Sequence, residues 1–350
     1  ADQSVFEIAD GGTLTLTDCT SNPGKVTHSN VTGSGVEVKK GTFTMYGGEI
    51  SGNSASNGGG VSVWGGSTFD LYGGKISGNT VTNDGGGVWV AATGKFNMHG
   101  GKIEISGNIA DTYGGGVYVA TTGEFNMRGG TIGGAAADKA NKANKAKYGG
   151  GVYVDGGGTL NMSGGKFTMS GGAISVNTAT SNGGGVYVGG GVFTMSGGSI
   201  TSNHTANDTY GGGVYVDGGG TFNMSGTASI TNNKAKNGGG GVYVSGGKFN
   251  MSGGSITGND SNGVFVWGNA TFTVSGAATV KGNTREGAAS NVFLTGSAKI
   301  TIGGELTGSP NSIGVTRGAY LDIANNVNED YSGIFFSDKT QYVVKYKDKQ

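Results

Sequence analysis

Apolar residues recur along this chain in short alternating groups, never at the three-and-four spacing of a helix. Three kinds of group alternate in fixed order. The first is V-x-V, beginning at Val61, Val88, Val117, Val152, Val186, Val214, Val242, Val264 and Val292. The second is F-x-M, at Phe43/Met45, Phe69/Leu71, Phe96/Met98, Phe125/Met127, Leu160/Met162, Phe193/Met195, Phe222/Met224, Phe249/Met251 and Phe272/Val274. The third centres on Ile50, Ile76, Ile103, Ile132, Ile174, Ile200, Ile230, Ile256 and Val280. Each group spans three to five residues, puts one face inward and is bounded by glycine, which describes a short strand.

Successive V-x-V groups lie 22 to 35 residues apart, clustering near 28. Three strands that return in the same order at such a period predict a solenoid. The fold class expected is all-β: a right-handed, single-stranded parallel β-helix of about eleven coils with three short strands per coil. Each strand then pairs with its counterpart one coil later, about 4.8 Å away, so the rod is roughly 50 Å long. A propeller needs four strands in about 40–45 residues and does not fit. Leu14/Leu16 and Val26 indicate an earlier coil, Val36/Val38 opens the regular series, and Ile300/Ile302 continues it. One domain covers 1–350: an N-terminal coil or cap at 1–35, regular coils at 36–319 and a closing segment at 320–350.

Two stretches depart from the period. The Ala/Lys-rich run 135–147 takes the place of an S-G-N turn and is expected to project as an insertion. Leu160–Met162 is followed by a second such group, Phe167–Met169, and the pattern leaves open which one holds the strand position.

A column of asparagines follows the third strand: Asn30, Asn53, Asn79, Asn108, Asn177, Asn203, Asn233, Asn259 and Asn283. Asparagine suits left-handed turns and can hydrogen-bond from coil to coil, so the column reads as a structural ladder.

Composition fits this picture. Of 350 residues 78 are glycine, yet 14 Phe, 14 Tyr and 3 Trp recur at regular places, so the glycines punctuate a fold. Lys plus Arg and Asp plus Glu both number 23, which gives no field to attract nucleic acid. No apolar run is long enough for membrane insertion as a helix. Cys19 is alone, so no internal disulfide framework exists.

The motifs G-G-G-V-Y-V, F-T-M-S-G-G-x-I-S-x-N and the closing S-I-G-V-T resemble the adhesin-like repeat regions of large bacterial cell-surface proteins of gut-anaerobe type. A looser likeness to chlamydial polymorphic outer-membrane proteins rests on one G-G-A-I, Gly171 to Ile174. The resemblance implies a secreted or surface-located β-helix that contacts host glycan or protein, or acts as a rigid stalk.

Candidate chemistry is sparse. A polysaccharide lyase or glycoside hydrolase needs clustered carboxylates. Asp155 and Asp217 occupy equivalent places two coils apart, about 9–10 Å, with Gly189 between. Asp70 is the lone acid among outward Asn and Thr of the F-x-M strands, and Asp84, Asp111 and Asp208 lie in turns. His28, His99 and His204 have no ligand spacing, so neither a metal nor a cofactor is expected, and no catalytic residue is assigned. Another column stands out, the middle of V-x-V: Trp89, Tyr118, Tyr153, Tyr187, Tyr215, Tyr243, Phe265 and Phe293. With the valines inward these rings are expected to form an outward, exposed stripe roughly 34 Å long. Such a stripe suits a glycan or protein partner, and equally a ladder that stabilises the rod. Open strand edges at a solenoid's ends also allow end-to-end self-association into a filament.

Overall fold

The computed structural model describes residues 3–18, 24–28, 31–134, 142–156, 164–206, 208–316, 324–325 and 330–345. Every named element among them is a strand. The chain winds as a right-handed parallel β-helix of about ten turns.

Three ladders run along the rod. The valine ladder goes from Phe6–Ile8 through Val36–Val38 and Val152–Val154 to Val292–Leu294, with each V-x-V group paired in parallel and in register with the next. The phenylalanine ladder goes from Gly12–Leu16 through Glu124–Met127 to Ile300–Leu306. The isoleucine ladder goes from Lys25–Val26 through Ala173–Ser175 to Thr279–Val280. It merges with the valine ladder at Ile313–Thr316, which pairs with both. A fourth, two-residue strand follows the asparagine in six coils, from Ser54–Ala55 to His204–Thr205, and buries Ala55, Val81, Ala110 and Ala146.

The interior is built from like stacked on like. Nine phenylalanines from Phe43 to Phe272 stack with centroids 4.6–5.0 Å apart and planes within 12°. This spacing is the coil rise itself, so the offset rings follow the strand period without strain. The asparagines form the second spine. In Asn79 the side-chain Nδ2 and the backbone N–H both donate to Asn108 Oδ1, at 3.0 and 3.1 Å, while Nδ2 also donates to the Ile50 carbonyl. The unit repeats at Asn108, Asn203, Asn233 and Asn259, all buried. Each amide thus satisfies backbone groups at a turn that would otherwise be buried unpaired.

The G-G-G corner has a steric reason. Gly85 has φ of +68°, a left-handed turn that L side chains rarely adopt. At Gly87 a Cβ would lie 2.6 Å from the Gly116 carbonyl oxygen, so the coils close only if that side chain is absent.

One open point is settled and three expectations change. Lys166–Met169 holds the strand position, pairing with Glu124–Met127 and Val192–Met195; Leu160–Met162 lies outside the described residues. The isoleucine column passes through Ile105 rather than Ile103, because Ile76 pairs with Ile105 and Ile105 with Ile132. In I-E-I both isoleucines face inward at period two, and the longer strand shifts the register by that period. Of the 135–147 run, Asn144 and Lys145–Ala146 lie in the coil, with Asn144 filling the ladder between Asn108 and Asn177, and 135–141 fall outside the described residues. The ladder also extends to Asn291, which accepts from Asn283 at 3.0 Å. Asn30 and Cys19 fall outside the described residues.

Candidate functional site

The V-x-V strands place Trp89, Tyr118, Tyr153, Tyr187, Tyr215, Tyr243, Phe265 and Phe293 in one outward column in successive coils, as the alternation requires. From Tyr118 to Phe293 neighbouring rings stack 4.9–5.6 Å apart. They do not form an exposed stripe. Tyr153, Tyr187, Tyr215, Tyr243 and Phe265 are 4–8% exposed and make up a second apolar cluster outside the valine wall.

The cover comes from a second column of rings. Tyr113, Tyr148 and Tyr210 sit immediately before a G-G-G corner, and that corner folds each ring back over the first column. Tyr113 lies 4.3 Å from Tyr153, Tyr210 lies 4.5 Å from Tyr243, and Tyr148 meets Tyr187 edge-on at 5.4 Å. The sequence signal was the repeated Y-G-G-G-V-Y-V, present three times with a tyrosine at each end.

Burial leaves the phenol oxygens to be satisfied, and the residue after V-x-V in the next coil does so. Tyr118 donates to Asp155 Oδ2 at 3.0 Å and Tyr187 to Asp217 Oδ2 at 2.5 Å. The second oxygen of each carboxylate accepts the N–H of the following glycine, Gly156 at 2.9 Å and Gly218 at 2.8 Å. Ser245 takes the equivalent place beside Tyr215, where burial pushes the phenol up and the serine hydroxyl works against it. For Tyr153 the place is Gly189, where a Cβ would come within 2.7 Å of the hydroxyl.

Desolvation pushes the phenols of Tyr118, Tyr153 and Tyr187 well above their ordinary range, and the nearby Asp155 and Asp217 push further the same way. These groups therefore stay protonated donors at neutral pH. Asp84, at the edge of the wall, is pushed up to about 6 by burial; the Tyr113 N–H it accepts works against this, and the charge of Asp155 adds to it.

Chemically the wall is mostly occupied with itself. Stacked rings have used their faces on each other, so a sugar ring has only edges to meet along most of the column. Asp155 and Asp217 stand two coils apart, as the repeat places them, each accepting from a tyrosine and a backbone N–H. Among the described residues no three His, Cys, Asp or Glu side chains gather as a metal site.

A different outward column carries what the sequence reading missed. At the residue after F-x-M, Tyr46 stacks on Tyr72 at 5.0 Å, and Tyr72 on His99 at 4.1 Å with planes 2° apart. Asp70, from the neighbouring F-x-M face, accepts from Asn97 at 2.9 Å and contacts His99 Nε2 at 3.1 Å. Comparison with family models, curated proteins and solved structures finds no match to this chain.

Proposed function

We propose that this chain is a non-catalytic, extracellular surface module of the adhesin-like type: a rigid spacer that carries contact sites for host glycan or protein on its sides. The observation that supports this reading is the commitment of interior and wall alike to coil-to-coil contacts. Phenylalanine, asparagine and tyrosine columns all run along one axis, so bending the rod would open three ladders together. Such a body transmits force and holds distance, while its surface is left for recognition.

Small-angle scattering is expected to give a straight rod of roughly 48 Å for ten coil rises. Antibody against the chain should label intact source cells. Incubation with pectins, host glycans and mucin, with and without calcium, should release no products. A flexible or globular particle, labelling only after permeabilisation, or new sugar ends lost on Asp155→Ala or Asp217→Ala would overturn the reading.

A further inference from the structure

In the later coils the residue after F-x-M is serine: Ser170, Ser196, Ser225, Ser252 and Ser275. In four successive earlier coils, aligned by the strand register, it is Tyr46, Tyr72, His99 and Arg128. A wettable wall thus changes over one stretch into two tyrosines, an imidazole and a guanidinium. Tyr46 is 55% exposed and Tyr72 41%. Ladder stabilisation alone does not account for the mixture, because a cation at the end of the column adds no apolar stacking.

The hydrogen bonds run in one direction. A carboxylate only accepts, so His99 Nε2 carries the proton shared with Asp70 at 3.1 Å. A guanidinium only donates, so His99 Nδ1 accepts from Arg128 Nη1 at 3.5 Å. Both imidazole nitrogens are thereby used, which leaves His99 no free base and makes it a positioning residue. It is clamped between Tyr72 and Asp70, and it steers one edge of Arg128. Arg128 itself is exposed, and among the described residues no carboxylate lies within ion-pair distance of it. Its remaining N–H groups form a planar fork suited to a carboxylate.

The other end of the stack is open among the described residues. One face of Tyr46 meets Tyr72; on its other side the register places Thr17, too small to cover a ring. From that face to Arg128 are three coil rises, roughly 14 Å. Between them lies Asp70 with Asn97 and Asn126, a flat polar strip whose amides are linked at 2.9 and 3.0 Å. We propose that this column binds an acidic oligosaccharide, with a sugar ring on Tyr46, hydroxyls along the Asp70 strip and a carboxylate on Arg128. This deepens the surface-contact reading above and rests on it.

The test uses the whole chain with a sialylated trisaccharide and tri-galacturonate as probes, lactose as the neutral control and a glutamate oligomer of equal charge as the peptide control. Calorimetric titration is expected to show binding of an acid-bearing saccharide, with lactose much weaker. Arg128→Ser installs the residue of the later coils, so melting should be unchanged while affinity falls roughly ten- to a hundredfold, the scale of a lost charge-assisted pair. Arg128→Lys should recover only part, since the fork is gone. Tyr46→Ser should weaken binding too, and Trp267→Ser, on another face, should not. No binding of either acidic saccharide, or binding indifferent to Arg128→Ser, overturns this site while leaving the surface-module reading standing. Equal binding of the glutamate oligomer overturns the saccharide assignment. Cleavage of a probe overturns the surface-module reading itself.

Discussion

Asn291 donates its backbone N–H to one oxygen of Asp338, at 2.7 Å, and its side-chain amide to the other. The asparagine ladder therefore ends on a carboxylate. Rungs such as Asn79 hand both N–H groups to the amide oxygen one coil on, Asn283 hands both to Asn291 eight residues later, and Asp338 then offers Asn291 two acceptors at once. Thr316 Oγ1 donates to the same carboxylate. Asp338→Ala leaves two donors of Asn291 unpaired and should cost about 2–4 kcal/mol, one to two buried hydrogen-bonding groups. Because each coil touches only its neighbours, the loss should stay local. Hydrogen exchange is expected to quicken from Val264 to Thr316 and remain slow around Asn79. Uniform quickening along the rod would show that the cap holds the whole solenoid.

Burial of the tyrosine wall sets a second expectation. Tyr153→Ser/Tyr187→Ser/Tyr215→Ser removes three stacked rings, each 7–8% exposed. Large-to-small changes at buried aromatics cost about 3–5 kcal/mol each, with neighbours not additive. Thermal melting should fall steeply or be lost, whereas Tyr187→Phe, which deletes only the hydroxyl donated to Asp217, should cost about 1–2 kcal/mol. A triple variant that melts within a few degrees of the parent would mean that the wall contributes little to stability.

The contrast between these two features shows what can be read from the chain alone. Like residues at one repeat position must meet across about 4.8 Å, so the phenylalanine, valine and most asparagine columns follow from period and alternation. Asn144 escaped because it sits in N-K-A-N-K-A, where no S-G fixes which asparagine enters the column. The exposure of the V-x-V aromatics escaped for another reason. Alternation says that Tyr153 points away from the valines, but whether water reaches it depends on a second layer. That layer, Tyr113 and Tyr148, comes from turns whose path only a three-dimensional corner determines. The Tyr46–Arg128 column was overlooked because no single residue type runs through it.

The phenylalanine ladder offers a sharp test of which face is inward. Phe125 and Met127 are fully buried, and Phe125 stacks at 4.7 Å on both Phe96 and Phe167. Met127→Asp should prevent folding, since a charge without a partner would enter an apolar interior one coil wide. Asn126→Ser, on the outer side of the same strand, should change stability by less than about 1 kcal/mol. Soluble, cooperative unfolding of Met127→Asp by circular dichroism would mean that the strand's faces are reversed.

Asp84 makes the stability of the aromatic wall depend on pH, and the sign follows from the direction in which its carboxyl is pushed. Burial, the main cause, raises that carboxyl to about 6 from an ordinary value of 3.8. The folded state thus binds the proton more tightly than the unfolded chain does. Its contribution is fully present below about pH 4, is lost as pH rises towards 6 and stays lost above. A fully buried carboxyl raised this far would contribute about 3 kcal/mol; because Asp84 is only partly buried, solvent screening reduces this to about 1 kcal/mol. Asn57 and Asn182 stand at the same place before their G-G-G corners. Their amide oxygens accept the backbone N–H of Asp84 and Tyr210 at 3.1 Å, the role Asp84 plays for Tyr113 at 3.2 Å. Asp84→Asn should therefore keep the hydrogen bond and remove the cost of burying a charge near Asp155. Denaturant titrations of parent and variant are expected to coincide near pH 4 and to separate by about 1 kcal/mol in favour of the variant at about pH 7.5. A variant less stable than the parent at that higher pH, or a difference that ignores pH, would show that the Asp84 charge is wanted where it lies.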